Sequence, residues 1–304
     1  MKISIAMSYH NRKDLLLTTL KTLSYYKEDI HEVVIVDDAS SPEHKIDFIN
    51  DFDFKIKLIE IPENLSSKYV NCCVPFNLAL RACEGDAVII QNPETYHVGN
   101  VLGHVKNNLS NGKYLSFPVY AFSQENTSLV PDPNTLAEAE FVKYNRDFVT
   151  ECPQVDGSYT NVTPNGWYNH PDHRPADYHF TTAIMRKDLE ELNYFDERLA
   201  PCVAFDDNDL ITRIKRKGME VQRVDIGASL QSGGIKEGPF TIHQWHTQSD
   251  WWGKVPSPEL IKSTLGDVEP TEGMRCLFGL CACVFEKIIQ KETSHKAEGK
   301  GFQE

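Results

Sequence analysis

Several features that mark whole classes of protein are missing from this sequence. No apolar run approaches the roughly 20 residues of a membrane span, and the apolar start at residues 1–7 is too short for a secretory signal. A basic excess is also lacking, since the formal net charge is −13, whereas nucleic acid phosphates are bound by clustered Lys and Arg. We therefore expect a cytoplasmic protein that has no transmembrane segment and does not bind nucleic acid.

The common sequence motifs for zinc and for phosphate are also absent. Eight cysteines occur without the paired CxxC spacing of a zinc site, so we interpret them as reduced thiols. No GxGxxG follows the first predicted strand, and GxxxxGK[ST] does not occur anywhere. A metal ion is then the natural partner for any bound diphosphate.

What is present is an alternation of strand and helix patterns in a chain of 304 residues with 40% hydrophobic and 25% charged residues. Such an alternation predicts an α/β fold with a doubly wound, mostly parallel sheet flanked by helices. The predicted strands are 3–7, 32–36, 55–61, 85–90, 113–122 and 179–185, and the predicted helices include 14–23, 74–82, 101–106, 186–192 and 206–218.

Two of the predicted strands end in polar tips. The second strand runs into Asp37 and Asp38, and the fourth stops at Gln91-Asn92-Pro93-Glu94, where Pro93 cannot continue a central ladder. Ligands bind beyond the carboxyl ends of parallel strands, where Glu94 could share a divalent cation with substrate phosphates. Asp and Pro are also ordinary turn residues, so a surface turn or a helix cap explains each tip alone.

A second acidic group begins the helix predicted at 206–218. Asp206, Asp207 and Asp209 fall in its first turn, whereas capping needs only one acid. Crowded carboxylates raise one another's pKa, and a carboxylate tuned in this way can act as a general base.

Two histidines, His243 and His246, lie three residues apart near the end of the predicted α/β region. On a strand this spacing points them to opposite faces, so we expect at most one of them at a shared site. Together with Glu94, either histidine could complete a site for Mn²⁺ or Mg²⁺. A lone surface histidine is the alternative.

All four tryptophans fall between positions 167 and 252. Trp167, Tyr168 and Trp245, with Trp251 and Trp252, could form an aromatic wall against the apolar face of an acceptor sugar. For any single one of them, a core or interface anchor is the more common role.

With these pieces in order, the sequence resembles the family 2 glycosyltransferases of the nucleotide-sugar-binding GT-A fold. It is also similar to the related galactosyl and N-acetylgalactosaminyl transferases. The likeness covers about residues 1–250 and rests on an ordered set of segments: Ser8-Tyr9-His10-Asn11-Arg12, Val36-Asp37-Asp38-Ala39-Ser40, Asn77, Phe195-Asp196-Glu197 and Phe205-Asp206-Asp207-Asn208-Asp209-Leu210.

The resemblance implies a role for each matched residue. A nucleotide-sugar pocket would be lined by Tyr9, Asn11, Arg12, Asp37 or Asp38, Asn77, Gln91 and Asn92. Asp207 would be the general base and Asp206 would hold the acceptor, which is a glycan or another hydroxyl compound. Direct displacement with inversion is implied, from a donor that is a UDP-sugar, with GDP- and dTDP-sugars as alternatives.

The chain departs from the family pattern at the end of the fourth strand. The family usually carries Asp-x-Asp there, and its last acid binds the metal, whereas this chain has Gln91-Asn92-Pro93-Glu94. Glu94 would substitute as ligand, and His243 fits the family's late metal ligand better than His246. A catalytically silent nucleotide-sugar-binding protein is one alternative. A sugar nucleotidylyltransferase is another, although residues 8–14 lack the glycine-rich basic loop that such an enzyme needs.

These observations predict a division of the chain. Residues 1–255 would form the glycosyltransferase domain, with a nucleotide-binding half at 1–100 and an acceptor-binding half at 101–255. Residues 256–291 would form a C-terminal helical extension, and 292–304 a disordered tail.

Overall fold

The computed structural model describes residues 1–66, 68–151, 166–202, 204–227, 234–235 and 238–247. The predicted C-terminal helices at 256–291 and the tail at 292–304 therefore lie outside the described residues. No helix within the described ranges has the length and apolar character needed to cross a membrane.

The described part of the chain alternates strands with helices, as predicted. The strands are β1 (Ile3–Tyr9), β2 (Ile30–Asp38), β3 (Ile56–Ile61), β4 (Ala87–Gln91), β5 (Thr95–Val98), β6 (Lys113–Ser116), β7 (Val119–Ala121), β8 (Trp167–Asn169), β9 (Thr181–Met185), β10 (Glu220–Arg223) and β11 (Phe240–His243). The helices are α1 (Lys13–Leu23), α2 (Glu63–Ser66), α3 (Cys73–Ala82), α4 (Val101–Asn108), α5 (Gln124–Ser128), α6 (Glu138–Glu151), α7 (Arg186–Glu191) and α8 (Asp206–Arg216).

A seven-stranded sheet in the order β10-β6-β9-β4-β1-β2-β3 forms the centre of the molecule. Strands β1, β2, β3 and β4 pair in parallel, and β9 runs antiparallel between β4 and β6. This confirms the predicted α/β class with a mostly parallel sheet. Because β1, β2 and β4 are parallel, their carboxyl ends lie at one edge, and the start of β9 joins them through the pairing of Gln91 with Thr181.

Both faces of the large sheet are covered, which explains the nearly continuous apolar runs of its strands. On β1, Ile5 faces the core beneath α1 and α4, whereas Ala6 faces the core beneath α3 and α8. Successive strand residues alternate in this way because their side chains point to opposite faces. Full burial of each large aliphatic side chain contributes roughly 1.5–3 kcal/mol to stability.

A second, four-stranded sheet in the order β5-β11-β7-β8 lies beside the first. The single strand predicted at 113–122 is in fact two strands, β6 in the large sheet and β7 in the small one. They part at Pro118, which has no N–H to give to a ladder. In the small sheet β11 pairs antiparallel with β5, so that His243 lies opposite Thr95 and next to Glu94.

Candidate active site

The loop after β1 is joined to the loop after β2. The buried Tyr9 hydroxyl donates to the His44 carbonyl at 2.5 Å, and the Asn11 side-chain oxygen accepts from the Ser41 amide at 2.9 Å. Asn11 has a φ of 52°, a left-handed conformation that asparagine tolerates better than most residues. Tyr9 and Asn11 thus shape the edge of the sheet, and their contact with a nucleotide stays a prediction.

The two acids at the end of β2 are buried and have protein partners. Asp37 accepts from the Ser40 amide at 2.9 Å and lies 3.3 Å from the Lys45 ammonium. Asp38 accepts from the Tyr69 hydroxyl at 2.6 Å. Both carboxylates lie at the edge of the sheet where the nucleoside pocket is predicted, and their contact with a nucleoside stays a prediction.

Glu94, His243 and His246 converge at the junction of the two sheets. One carboxylate oxygen of Glu94, Oε1, lies 3.1 Å from Nε2 of His243 and 3.6 Å from Nε2 of His246. The other, Oε2, accepts from the Arg12 guanidinium at 2.9 Å. The three possible ligand atoms lie within 4.8 Å of one another, so that one divalent cation could contact all three.

The expectation that at most one histidine would reach the site is wrong. It assumed a strand through both residues, but β11 ends at His243. The chain then leaves the strand geometry, and this brings the His246 ring to Glu94 as well.

The charges around this cluster keep its groups in forms that can bind a cation. Burial alone would raise the pKa of Glu94, but the Arg12 guanidinium and His243 hold it well below its usual value. Burial, and then the charge of Arg12, lower the pKa of His246 to about 3. The His246 ring is therefore neutral near pH 7, and its Nδ1 contacts the Thr247 carbonyl at 3.0 Å. If Nδ1 carries the proton, the lone pair on Nε2 faces Glu94, as in a histidine oriented to bind a metal.

The second acidic group surrounds a buried histidine that the sequence analysis did not single out. Phe205 precedes α8 with a φ of 78°, a strained conformation for a bulky residue, and Asp206 and Asp207 follow in the first helical turn. Asp207 Oδ1 accepts the His179 backbone N–H at 2.8 Å and also contacts Nδ1 of the same ring. The macrodipole of α8 favours both carboxylates at this end.

Asp206 lies deeper than Asp207 and is nearly enclosed, with 5% of the residue exposed. Its Oδ1 accepts from the Asn71 amide at 3.1 Å, and its Oδ2 lies 3.7 Å from the Cys72 sulfur. Burial, and then the negative charge of Asp207, raise the pKa of Asp206. Burial would lower the pKa of His179, but the charges of Asp207 and Asp206 outweigh it and raise it.

The Glu94 cluster (Glu94, His243 and His246) and the pair Asp206–Asp207 lie along the same edge of the sheet. Aromatic rings lie between them. His179 is followed by Phe180, whose carbonyl accepts from the Asn92 amide. Tyr168 stacks on His243 at 5.1 Å between ring centroids and packs against Phe180 at 4.5 Å. Burial, opposed by Arg174, raises the pKa of Tyr168 to about 12, and the charges of Glu94 and Asp207 both add to the rise. The charges of Glu94 and Asp207 therefore both reach the Tyr168 ring.

Two residues assigned to the nucleotide pocket have side-chain amides that bond within the protein. The Asn77 amide donates to the Phe195 carbonyl and to Glu197, and its oxygen accepts from the Phe195 N–H. Gln91 is fully buried, with its amide between the Thr95 carbonyl and the His97 ring. Both amides hold loops together, which does not support direct contact with a nucleotide. Asn92 is partly exposed at the edge of the sheet and remains a candidate.

The residues of the predicted aromatic wall differ in their exposure. Trp167 is 1% exposed and packs edge-on against Tyr120 in the core of the small sheet, so it cannot offer a face to an acceptor. Tyr168 and Trp245 are partly exposed, and the Trp245 backbone is held by the Thr127 hydroxyl. These two residues remain candidates for acceptor binding, and Trp251 and Trp252 lie outside the described residues.

Comparison with solved structures finds distant likenesses. The S. aureus TarS fragment 1–349 in complex with UDP is 15% identical with a TM-score of 0.49, and the match covers 90% of this chain and 68% of that one. A mannosyltransferase from Pyrobaculum calidifontis in complex with GDP-Man and Mn²⁺ is 14% identical with a TM-score of 0.47, covering 90% and 67%. GalNAc-T7 with UDP, GalNAc and Mn²⁺ is 12% identical with a TM-score of 0.49, covering 82% and 44%.

Sequence comparison decides the family. No curated protein matches the chain significantly. The model of glycosyl transferase family 2, however, matches residues 4–192, which is more than half of the 304 residues and includes β1 to β9. The chain thus belongs to glycosyl transferase family 2 and is a glycosyltransferase.

Proposed function

We propose that this glycosyltransferase moves a sugar from a nucleoside diphosphate sugar, a UDP-sugar, to an acceptor hydroxyl with inversion at the anomeric carbon. The observation that carries the proposal is the convergence of Glu94, His243 and His246 beside Arg12 at the edge of the sheet where donors are expected. The edge itself is built by the ends of β1, β2 and β4.

The three ligand candidates fit a divalent cation. Their mixed oxygen and nitrogen donors suit Mn²⁺, with Mg²⁺ as the second choice. With the ring proton on Nδ1, Nε2 of His246 and the Glu94 carboxylate would both be acceptors, 3.6 Å apart, and a cation between them would stabilise this arrangement. When bound there, the cation would neutralise negative charge that develops on the departing diphosphate.

Arg12 would contribute a second positive charge to the same group. Its guanidinium is 13% exposed and is fixed by Glu94, so its orientation is set before a donor arrives. A guanidinium can form two parallel hydrogen bonds to phosphate oxygens, which a point charge cannot. We therefore assign Arg12 to the diphosphate and Asn11 and Asp37 or Asp38 to the nucleoside.

Asp207 is the proposed general base. Both of its contacts with His179 fall on Oδ1, and its side chain is 20% exposed. Its Oδ2 has no hydrogen bond to any residue in the described part of the chain and can receive the proton of an acceptor hydroxyl. His179, whose pKa is raised because the charges of the two acids outweigh its burial, orients the carboxylate through its contacts with Oδ1. Asp206 would hold the acceptor, which Tyr168 and Trp245 would cover.

The test is a screen of nucleotide sugars for release of the nucleoside diphosphate in the presence of candidate acceptors. Each donor is tested with and without Mn²⁺, for the wild-type protein and for Glu94→Gln. We expect one donor class to be turned over only with the metal, and the variant to lose this dependence together with most of the activity. Donor binding without turnover for any acceptor would contradict the proposal and favour a silent binding protein.

A further inference from the structure

A second cluster of possible metal ligands lies beside the proposed base and includes a thiol. Cys72 precedes α3, His179 precedes β9, and Asp206 begins α8, so three elements bring them together. The Cys72 sulfur lies 3.7 Å from Oδ2 of Asp206, and Nε2 of His179 lies 3.9 Å from the same oxygen. All three ligand atoms lie within 4.8 Å of one another.

These separations are close to those around a tetrahedral zinc ion. Bonds of about 2.3 Å to sulfur and about 2.1 Å to oxygen or nitrogen place tetrahedral ligands roughly 3.3–3.6 Å apart. The two distances to Asp206 exceed this range by only a few tenths of an ångström. Small side-chain rotations of Cys72 and His179 toward each other would complete three of four positions.

The orientation of His179 adds an independent reason. Its Nδ1 contacts Asp207, whereas its Nε2 faces Asp206. Histidines that bind metals generally donate their other ring N–H to a carboxylate, which fixes the ring and increases its basicity. Asp207 stands where such a second carboxylate is expected.

Charge and access are also compatible with a cation. Two carboxylates, Asp206 and Asp207, face the single imidazole of His179, an arrangement that favours a cation beside them. Cys72 is partly exposed, so an ion could approach from its side. Thiolate and imidazole favour Zn²⁺, in contrast to the oxygen and nitrogen donors of the Glu94 cluster.

We propose that Cys72, His179 and Asp206 form a second cation site, selective for Zn²⁺, with Asp207 as the carboxylate behind the histidine. Binding converts the Cys72 thiol to a thiolate and requires a neutral His179, so that the thiol proton and any proton on Nε2 of His179 are released to solvent. With the ion bound, Asp206 can no longer hold the acceptor, and His179 can no longer orient the base Asp207. Zn²⁺ at this site therefore inhibits transfer, a consequence that rests on the proposed function, whereas the binding itself does not.

Binding is tested on the full chain with Co²⁺ as a spectroscopic probe for Zn²⁺, with excess Mn²⁺ present to fill the other cluster. We expect a thiolate-to-cobalt charge-transfer band that one equivalent of Zn²⁺ abolishes. The band should be lost in Cys72→Ser and in Cys72→Ala, and retained in the matched control Cys83→Ser, which removes a buried thiol elsewhere. Asp207→Asn should weaken Zn²⁺ affinity about 10–100-fold.

A band that survives both Cys72 variants, or no band in the wild-type protein, would overturn the site. Glu94→Gln separates the two proposals, because it should retain the cobalt band while it loses Mn²⁺ binding. Inhibition is measured as the Zn²⁺ concentration that halves transfer in excess Mn²⁺. This concentration should rise at least about 10-fold in Cys72→Ser relative to Cys83→Ser, and equal sensitivity would refute the inhibitory role.

Discussion

Replacing Glu94 by glutamine removes the negative charge at the centre of the site, and the effect can be measured as a change in the free energy of unfolding. Glu94 is 1% exposed and pairs with an Arg12 side chain that is 13% exposed. Removal of one partner from a buried ion pair typically costs about 3–5 kcal/mol because the other charge is left uncompensated. Glutamine keeps the shape and one acceptor oxygen, so we expect a loss of about 2–3 kcal/mol in the free energy of unfolding at pH 7.

The stability lost in Glu94→Gln should depend on pH, and the shift in the pKa of Glu94 decides the direction of this dependence. The folded protein holds the pKa of Glu94 well below its usual value, because Arg12 and His243 outweigh the effect of burial. Such a group contributes stability above the pKa of the unfolded carboxyl, about 4.3, and loses it as the pH falls through the folded pKa. The difference between wild type and variant should be constant from pH 7 to pH 5.5 and should narrow below about pH 4.3.

The assay is urea denaturation with a chelator present, so that no bound metal contributes. Glu84→Gln is a matched control, since Glu84 is 58% exposed and pairs with Lys55 and Lys57 at the surface. We expect little change from the control, because exposed pairs contribute little. If Glu94→Gln cost no more than the control, or if its effect were the same at pH 4 as at pH 7, the electrostatic reasoning would be refuted.

Three further predictions concern residues whose contacts the structure defines. His179→Asn should lower kcat by about 10-fold or more. It should also move the acidic limb of the pH–rate profile to higher pH, because a positive charge beside the two carboxylates is lost. An unchanged profile would contradict this. Asn77→Ala should destabilise the fold by about 1–3 kcal/mol, since the Phe195 N–H and carbonyl lose their partners, while calorimetry should find nucleotide affinity unchanged. Trp167→Leu should cost about 2–4 kcal/mol in unfolding free energy by loss of core packing without raising the KM for the acceptor; a higher KM would restore Trp167 to the acceptor wall.

The fold was largely predictable because its signals are local. The apolar runs of β1, β2 and β4 are buried on both faces, and the polar tips that follow them do lie at one edge of the sheet. The division of the predicted strand 113–122 into β6 and β7 at Pro118 could also have been predicted, since proline interrupts the hydrogen-bond ladder of a sheet. What the local pattern could not give was the second sheet, because the pairing of β11 with β5 joins residues about 145 positions apart.

Site residues could be predicted where the residue type and its place at the end of a strand both indicated a ligand. They could not be predicted where the function of a side chain depends on contacts with residues distant in sequence. Glu94 was singled out by the proline-broken tip, but the approach of both histidines depends on where β11 ends. Asn77 and Gln91 were assigned to the ligand, yet their amides are used by the protein's own backbone. No signal in the sequence pointed to His179 or Cys72, whose neighbours at Asp206 and Asp207 are brought to them only by the packing of α8.

We propose that Asp207 removes the acceptor proton in a cleft that it shares with the donor site at Glu94. The most direct measurement compares sugar transfer and donor affinity for the wild-type protein and Asp207→Asn at saturating Mn²⁺. We expect transfer to fall by about 10²–10⁴-fold, with the donor dissociation constant unchanged, because the asparagine keeps the shape of the side chain but cannot accept the proton. Full turnover by Asp207→Asn would contradict the assignment.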